Sequence, residues 1–360
     1  MTSLLDFYIH PNALLSFQNI SLSLRFIFFT CMKKKIALVT GGYSGEATIS
    51  YLSAKTVYNN LDKEKFDVYK IDINPNGWVY ENEEGAKSAV DRSDFSVIDG
   101  GRKINFDAIA LCIHGTPGED GKLQGYFDML HLPYTTCDAA TSALTFNKRF
   151  TVAVAAFAGI KVARSVLFHK NNFTNADEVV QNLQFPVFVK PNNGGSSIGM
   201  SKVASFSEEL GVAIEKAFKE DDQVLVEEFI EGREFTIGVF KAKGKIITLP
   251  MTEVKSHNYF FDYEAKYLGK SEEITPAQVD EAVAEKVRAA AKKIYAALNC
   301  RGVIRIDFIY NEAAGEPYML EVNTVPGQSD ASIVPQQVRA MGWTLKEFYT
   351  ALIEETCATA

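Results

Sequence analysis

Two short apolar segments near the C-terminus, GVIRIDFIY and PYMLEVN, carry polar side chains at a spacing of two. Successive side chains on a strand point to opposite faces, so Arg305 and Asp307 share one face of the first segment. For the same reason, Glu321 and Asn323 share one face of the second. Two carboxylates and an amide offer oxygen ligands that suit Mg²⁺, whose coordination substrate phosphates usually complete. A buried ion bridge between the strands explains the same residues equally well.

A lysine and a glycine–serine loop accompany another apolar segment, PVFVKP. Lys190 lies near the end of that segment, and the loop NNGGSSIG follows it. Glycines let backbone N–H groups approach phosphate oxygens closely, and Ser196 and Ser197 add hydroxyl donors. An ammonium at the loop entrance is a good point-charge partner for phosphate. The pattern indicates a phosphate site, with an ordinary glycine-rich hairpin as the alternative.

Acidic residues cluster further along the chain in VEEFIEGRE. The carboxylates of Glu227, Glu228 and Glu234 could accept hydrogen bonds from an adenine amino group and from ribose hydroxyls. A solvated acidic linker is the alternative. The alternation with Val226 and Phe229 indicates partial burial, which counts against that alternative.

Two polar loops follow apolar strands in the first part of the chain, GGYSGE and HGTPGEDG. Glu46 ends the first loop at the start of a helix, where the helix dipole stabilises a carboxylate by about 0.3–1 kcal/mol in any case. His114 opens the second loop and could simply cap a turn. Open α/β sheets bind ligands at the carboxyl edge of their strands, so we expect both loops to border a site there. Glu46 would anchor a cationic group of the ligand.

The stretch 252–270 is long, aromatic and charged. Such loops are often lids over an active site. An edge strand with a surface aromatic cluster is the competing interpretation.

The elements that must position these residues alternate between strand and helix. Strands at 35–40, 66–71 and 107–113 with helical connections predict a parallel α/β sheet. After residue 137 the pattern changes, and TPAQ at 275–278 predicts the cap of a long amphipathic helix. We therefore predict a non-essential extension followed by three regions, with the limits 1–31, 32–137, 138–231 and 232–360.

Composition excludes several classes of protein. The 360 residues carry a formal charge of −8 without a basic stripe, which argues against a nucleic-acid partner. Five cysteines without C-x-x-C spacing favour free thiols in a reducing cytoplasm. The apolar patch at 22–29 is interrupted by Arg25, too short to span a bilayer and unlike a signal peptide. We predict a cytoplasmic protein that does not associate with a membrane.

Seven motifs in order resemble the D-alanine–D-alanine ligases of the ATP-grasp superfamily: GGYSGE, HGTPGEDG, KPNNGGSSIG, VEEFIEGRE, FDYEAKY, RID and LEVNTVPG. The resemblance covers nearly everything from Lys33 onward. It implies an α/β architecture, an ATP-grasp fold preceded by a Rossmann-like parallel α/β domain. The implied activity joins two D-alanine molecules through an acyl phosphate, for peptidoglycan precursor synthesis. The implied cofactors are ATP and two Mg²⁺ ions, which Mn²⁺ is expected to replace, and the implied assembly is a homodimer.

The resemblance also implies roles on the nucleotide side. The residues that would bind ATP are Lys148, Lys190, Ser197 and Lys266 at the phosphates, Glu227 at the adenine and Glu234 at the ribose. The residues that would hold the metal ions are Asp307, Glu321 and Asn323.

For the first D-alanine, the resemblance implies that Glu46 binds its ammonium and that His114 lies near its carboxylate. Ser196 and Tyr267 would link to Glu46 and hold the lid shut. Tyr267 matches the dipeptide-forming type, because relatives that use D-lactate tend to differ at this position. We therefore expect D-alanine as the second substrate.

For the reacting centre, the resemblance implies that Arg305 and the Gly327 N–H form an oxyanion site and that Ser332 holds the carboxylate of the second D-alanine. These roles reduce the Arg305 ion bridge to a secondary contact. Phe261 replaces a common tyrosine, and Ala331 replaces a larger residue of some relatives. A D-lactate- or D-serine-using ligase, or a non-catalytic nucleotide-binding protein, therefore remain alternatives.

Overall fold

The computed structural model describes residues 33–176, 181–195, 198–256 and 271–358. Its strands form three main sheets and a short hairpin within those ranges. The strand bounds are β1 Lys34–Gly41, β2 Phe66–Asn74, β3 Gly77–Glu81, β4 Lys87–Ala89, β5 Val97–Asp99, β6 Arg102–Ile104, β7 Ala108–Leu111, β8 Lys161–Val162, β9 Ser165–His169, β10 Val187–Pro191, β11 Ser201–Val203, β12 Gln223–Glu228, β13 Arg233–Ala242, β14 Lys245–Thr248, β15 Thr252–Ser256, β16 Ser271–Ile274, β17 Val303–Asn311 and β18 Glu316–Asn323. The helix bounds are α1 Ala47–Asn60, α2 Lys122–Met129, α3 Ala139–Phe146, α4 Lys148–Phe157, α5 Glu208–Ala217, α6 Glu281–Ala297, α7 Ile333–Ala340 and α8 Leu345–Ala358.

The first sheet has a parallel centre. Its order is β4–β3–β2–β1–β7, and β2 and β7 both run parallel to β1. Ile36 and Leu38 of β1 pack in one core, whereas Ala37 and Val39 pack in a second core on the opposite face. Burial on both faces is typical of parallel strands and explains the continuous apolar run in β1. The sheet confirms the parallel α/β arrangement predicted for 32–137.

The second sheet is antiparallel and has the order β11–β10–β12–β9. Helix α5 covers it, with Leu210 and Ile214 packed in the same core as Val187, Val189 and Val226. The opposite face of β10 and β12 carries polar residues of the predicted nucleotide site. The helix therefore fixes which face of the sheet is available to a ligand.

The third sheet has the order β16–β15–β13–β17–β18–β8, with β14 paired to β13. Its strands are antiparallel except for β8, which runs parallel to β18. Helix α6 lays an apolar stripe that includes Val287, Ala291 and Ile294 onto this sheet. The stripe confirms the amphipathic pattern of the helix.

The start of α6 differs from the sequence prediction. The cap predicted at 275–278 is wrong, because the helix begins at Glu281 with Asp280 as its N-cap. The Ala277 N–H donates to the Met251 carbonyl oxygen at 2.8 Å, so this stretch runs alongside the sheet before the helix starts. A contact between distant parts of the chain overrides the local capping signal.

A shared core joins the first sheet to the C-terminal helices. Phe348 of α8 is fully buried, and its ring centroid lies 5.1 Å from that of Phe240 in β13. Ile36 and Leu38 of β1 belong to the same cluster, as does Leu352 of α8. The C-terminal helix thus packs with elements of the first and third sheets together.

One strand joins a sheet formed mainly by a different predicted region. Strand β8 lies within the predicted second region but pairs with the third sheet through Met319. In the part of the chain that the structure describes, every helix is too short or too polar to cross a bilayer.

Candidate active site

A cleft of about 1200 Å³ opens between the second and third sheets and the loops that follow β1 and β7. The predicted site residues that line it are Glu46, Lys148, Lys190, Glu227, Glu234, Arg305, Asp307 and Glu321. The described site residues that do not line it are His114, Asn323, Gly327 and Ser332. The structure therefore brings candidates for the nucleotide, the metal and the first substrate to one cleft, with His114 and Asn323 outside its lining.

The two strands that carry the predicted metal ligands are antiparallel neighbours. Asp307 of β17 lies opposite Glu321 of β18, and Arg305 lies opposite Asn323. Directly opposed side chains on one face have Cβ atoms about 4.5–5.5 Å apart. The four polar side chains therefore meet on one face of the third sheet, and Arg305, Asp307 and Glu321 line the cleft there.

Next to this meeting point, β18 has a β-bulge opposite Asp307 and Phe308 of β17. Regular alternation along β18 would place Met319 and Glu321 on the same face. Met319 is instead 2% exposed and packs in the core with Phe308, whereas Glu321 lines the cleft. The extra residue, Leu320, lets the strand change face between them, which is the usual effect of a bulge.

The ion bridge considered for these strands is present as a bidentate pair. Arg305 donates from Nε to Asp307 Oδ1 at 2.9 Å and from Nη2 to Asp307 Oδ2 at 2.7 Å. Thr236 Oγ1 also donates to Asp307 Oδ1, at 2.5 Å. Burial alone would lower the pKa of Arg305, but the neighbouring carboxylates, Asp307 first, outweigh it and raise that pKa. The ion bridge is therefore present beside the predicted metal ligands.

The remaining donor atoms fit a hard cation. Asn323 Nδ2 lies 3.3 Å from Asp307 Oδ2 and 3.5 Å from Glu321 Oε1. Turning the side-chain amide over would present Oδ1 to the same point. Among the residues that the structure describes, no group of three or more His, Cys, Asp or Glu side chains could hold a metal ion on its own. Two carboxylates and an amide fit Mg²⁺ that takes further oxygen ligands from a phosphate substrate.

On the second sheet, Lys190 and Glu227 form a close pair. Lys190 Nζ lies 2.5 Å from Glu227 Oε1, and their side chains are only 12% and 9% exposed. They are diagonal neighbours, because Lys190 lies opposite Leu225 and Phe188 lies opposite Glu227. The sequence assigned them to different parts of a nucleotide, and the fold additionally pairs them with each other.

Lys148 reaches the glycine–serine loop from the start of α4. Its Nζ donates to the Gly194 carbonyl oxygen at 2.6 Å, and its backbone N–H donates to the Asn192 carbonyl oxygen at 3.0 Å. Asn147 caps α4 by accepting from the Phe150 N–H. Two of the three lysines predicted to bind phosphate, Lys148 and Lys190, therefore flank the same loop.

Glu46 lies at the N-terminus of α1, between two glycine loops. A Cβ atom built on Gly195 would lie 3.1 Å from Glu46 Oε1, and one on Gly115 would lie 2.6 Å from Glu46 Oε2. Gly115 also has a φ of +66°, which L side chains rarely adopt. Glycine at 115 therefore leaves room for the Glu46 carboxylate.

Glu119 is a site residue that sequence reasoning missed. Its Oε2 accepts from the Gly115 N–H at 2.7 Å, and its Oε1 accepts from the Val325 N–H at 3.3 Å. Burial and the charge of Glu46 raise the pKa of Glu119 to about 7, and Arg305 only partly opposes this. The signal available was a second carboxylate in the HGTPGEDG loop, although its partner Val325 is remote in sequence.

His114 is held on both sides of its ring. Nδ1–H donates to the Val325 carbonyl oxygen at 2.8 Å, and Nε2 lies 2.9 Å from Ser53 Oγ. Nearby, a Cβ atom on Gly327 would lie 2.8 Å from Ser332 Oγ, so these two predicted residues are adjacent. The structure groups His114 with the backbone that leads to Gly327.

Glu234 lies on β13, opposite Ile309 of β17 and Val254 of β15, and lines the cleft. The predicted site residues outside the described part of the chain are Ser196, Ser197, Lys266 and Tyr267. Phe261 also lies outside it.

Comparisons with known proteins identify the family of this chain. The family model described as D-ala D-ala ligase N-terminus matches residues 35–137, and the D-ala D-ala ligase C-terminus model matches residues 148–354. A D-alanine--D-alanine ligase from Flavobacterium johnsoniae is 47% identical over 325 residues, 90% of this chain and 100% of that protein. One from Phocaeicola vulgatus is 45% identical, over 90% of this chain and 99% of that protein.

Solved structures agree as well. The VanG D-Ala:D-Ser ligase from Enterococcus faecalis has a TM-score of 0.82 and 34% identity, and covers 90% of this chain and 99% of that one. The D-alanyl-alanine synthetase A from Vibrio cholerae has a TM-score of 0.80 and 28% identity, with coverage of 91% and 99%. These matches confirm the resemblance seen in the seven motifs and the ATP-grasp fold it implied. The chain belongs to the D-alanine–D-alanine ligase family.

Proposed function

We propose that this chain joins two D-alanine molecules to D-alanyl-D-alanine at the expense of ATP, for peptidoglycan precursor synthesis. The observation that carries the proposal is the meeting of Arg305, Asp307 and Glu321 with Lys190 and Glu227 in one cleft. Family membership supports the same activity. The reaction consumes ATP, and we propose that it takes place in the cytoplasm.

The chemistry begins with a carboxylate, which is a poor electrophile. A carboxylate oxygen of the first D-alanine attacks the γ-phosphorus of ATP, the bond to the bridging oxygen breaks, and ADP leaves. The amine of the second D-alanine then attacks the acyl phosphate, and the tetrahedral intermediate expels phosphate and gives the dipeptide. Positioning and charge stabilisation supply most of the catalysis in such a reaction.

The lysines act on the phosphates. Lys148 contacts the glycine–serine loop and Lys190 lines the same cleft, and Ser197 would add a hydroxyl. Phosphate would replace Glu227 as the partner of Lys190 and release that carboxylate toward the adenine. Glu234 would bind the ribose, and Lys266 would reach the γ-phosphate.

Asp307, Glu321 and Asn323 would hold Mg²⁺, as two ions that Mn²⁺ can replace. Bound Mg²⁺ would neutralise charge on the transferred phosphate. Arg305 stays beside these ligands through its bidentate pair with Asp307. That pair fixes the guanidinium in the cleft, where it would face the reacting carbonyl together with the Gly327 N–H.

The remaining candidates act on the amino acids. Glu46 would bind the ammonium of the first D-alanine, and Ser196 with Tyr267 would close the lid over it. Ser332 would hold the carboxylate of the second. We also propose a homodimer, which light scattering of the purified protein would test against a monomer.

A coupled assay tests the proposal directly. Phosphate release should require both D-alanine and a divalent cation, and mass spectrometry should identify D-alanyl-D-alanine. Phosphate release without D-alanine, or none with it, would contradict the proposed activity. Chelation should abolish release, and either Mg²⁺ or Mn²⁺ should restore it.

D-Serine is a second candidate for the acceptor, because the neighbour with a TM-score of 0.82 is a D-Ala:D-Ser ligase. The relatives at 45–47% identity are named as D-alanine--D-alanine ligases, which favours D-alanine. A competition among D-alanine, D-serine and D-lactate at neutral pH decides the question. Preference for D-serine or D-lactate would overturn the choice of D-alanine.

A further inference from the structure

The backbone on either side of Gly327 is held by side chains from the first part of the chain. The Val325 N–H donates to Glu119 Oε1 at 3.3 Å, and the Val325 carbonyl oxygen accepts from His114 Nδ1 at 2.8 Å. The Gln328 N–H donates to Ser53 Oγ at 3.0 Å. Gly327 therefore lies between two anchored residues.

The anchors are connected to one another and buried. Ser53 Oγ lies 2.9 Å from His114 Nε2, so the imidazole ring links the contact at Val325 to the contact at Gln328. Ser53 is fully buried and His114 is 7% exposed. Tyr349 also donates to the Gln328 side chain at 3.2 Å. Buried hydrogen bonds of this kind hold a segment in one conformation.

We infer that Ser53, His114 and Glu119 are positioning residues that fix the backbone of residues 325–328, and through it the direction of the Gly327 N–H. The inference rests on the proposed function, in which that N–H faces the reacting carbonyl. It differs from the expectation that His114 serves the substrate carboxylate directly, because both ring nitrogens face protein partners.

The direction of the Gly327 N–H matters for catalysis. An oxyanion donor stabilises the transition state only at the distance where the negative charge develops, and losing one costs about 100- to 1,000-fold in kcat. A small displacement of the reacting groups can cost about 100-fold by itself. Loosening the anchors should therefore lower kcat and leave KM for D-alanine nearly unchanged.

Two replacements of His114 separate the roles. Asparagine can place its amide N–H where Nδ1 now donates to Val325, whereas glutamine reaches toward the Nε2 position. We expect His114→Asn to keep kcat within about 10-fold of wild type and His114→Gln to lower it about 100-fold. KM for D-alanine should change less than about 3-fold in both variants, because ground-state binding is not affected.

A binding measurement checks the same point without turnover. A phosphinate analogue of the dipeptide carries a tetrahedral oxygen where the intermediate carries its oxyanion. Its inhibition constant should rise in proportion to the fall in kcat across His114→Asn, His114→Gln and Ser53→Ala. Glu119→Gln, which leaves one carbonyl acceptor in place of two carboxylate oxygens, should give a smaller rise than Ser53→Ala.

The controls are His169→Asn and His169→Gln, at an exposed histidine on β9, which should leave kcat and KM unchanged. Thermal unfolding of every variant within a few degrees of wild type excludes general misfolding. An equal loss in the two His114 variants, a larger loss in His114→Asn, or a raised KM would overturn the inference. Wild-type protein that forms no dipeptide would overturn the proposed function, and this inference with it.

Discussion

Asp307 accepts hydrogen bonds from the side chains of Arg305, Thr236 and Asn323. Arg305 and Thr236 orient the carboxylate before any cation arrives, whereas Asn323 would turn its amide over to present Oδ1 to the cation. The same arrangement keeps a buried guanidinium paired. A single carboxylate therefore serves two purposes, and its loss should affect both.

Asp307→Asn tests this dual role. The variant keeps the shape of the side chain but removes its charge, leaving Arg305 without its bidentate partner and the cation with a weaker ligand. We expect kcat to fall at least about 100-fold and the Mg²⁺ concentration needed for half-maximal rate to rise. Full turnover in Asp307→Asn would contradict the metal assignment. Asp222→Asn, whose side chain is 83% exposed, is the control that should change neither quantity.

Glu119 makes the free energy of unfolding of the protein depend on pH. Burial and the charge of Glu46 raise its pKa to about 7 in the folded protein. The unfolded chain loses that proton at a lower pH, so the free energy of unfolding falls as pH rises through the interval between the two pKa values. Above about pH 7 the folded protein carries the full cost of the buried carboxylate, which is at most about 3 kcal/mol.

Glu119→Gln should remove that dependence. Denaturant unfolding between about pH 5 and 8 should show the wild type losing about 2–3 kcal/mol more than the variant. Glu281→Gln, at a side chain that is 83% exposed, should follow the wild type. Parallel pH profiles for the wild type and Glu119→Gln would contradict the raised pKa.

Among the elements, β18 owes its function to its extra residue. Met319, before the bulge, faces the core, and Glu321, after it, faces the cleft. Regular alternation would place both side chains on the same face. Removing Leu320 should preserve the pairing of Asp307 with Glu321 and straighten the strand. Removing Val322 should instead turn Asn323 toward the core, where its amide would be buried without partners.

We expect the deletion of Leu320 to give a folded protein with reduced activity, because Leu320 lines the cleft and the bulge aims Glu321. The deletion of Val322 should give little or no folded protein. Circular dichroism and thermal unfolding compare the two, and equal stability would contradict the role assigned to the bulge.

Alternation in the sequence was enough to predict that Arg305 and Asp307 share a face, because that rule needs no tertiary information. It could not predict the bulge, since Leu320 is an ordinary apolar residue in an apolar run. The Lys190–Glu227 pair depends on the register of two strands, and Glu119 depends on a backbone N–H 206 residues away. Local patterns thus give site residues, whereas their partners require the fold.

For the whole molecule, the shared core around Phe348 couples the first sheet to the third. Phe348→Ala should lower the free energy of unfolding by about 3–5 kcal/mol, since it empties a fully buried site. The matched control is Phe157→Ala, at a side chain that is 95% exposed, with an expected change within about 0.5 kcal/mol. Equal effects of the two substitutions in denaturant unfolding would contradict the packing described.

The extension 1–31 remains predicted to be non-essential, and the predicted limits of the three regions also stay predictions. The family models match only from residue 35 onward. A chain begun at Met32 should keep the kcat and KM of the full chain in the phosphate-release assay. An inactive but folded truncated protein would contradict the prediction.

The position of α8 affects how the protein can fold while it is being synthesised. One face of β1, the first strand in the described part of the chain, packs in the same core as Phe348, Leu352 and Ile353 of α8. Until that helix emerges from the ribosome, apolar residues of β1 lack part of the core in which they pack. Exposed apolar surface of this kind invites aggregation and chaperone binding. The first sheet therefore completes this core only after α8 has been made.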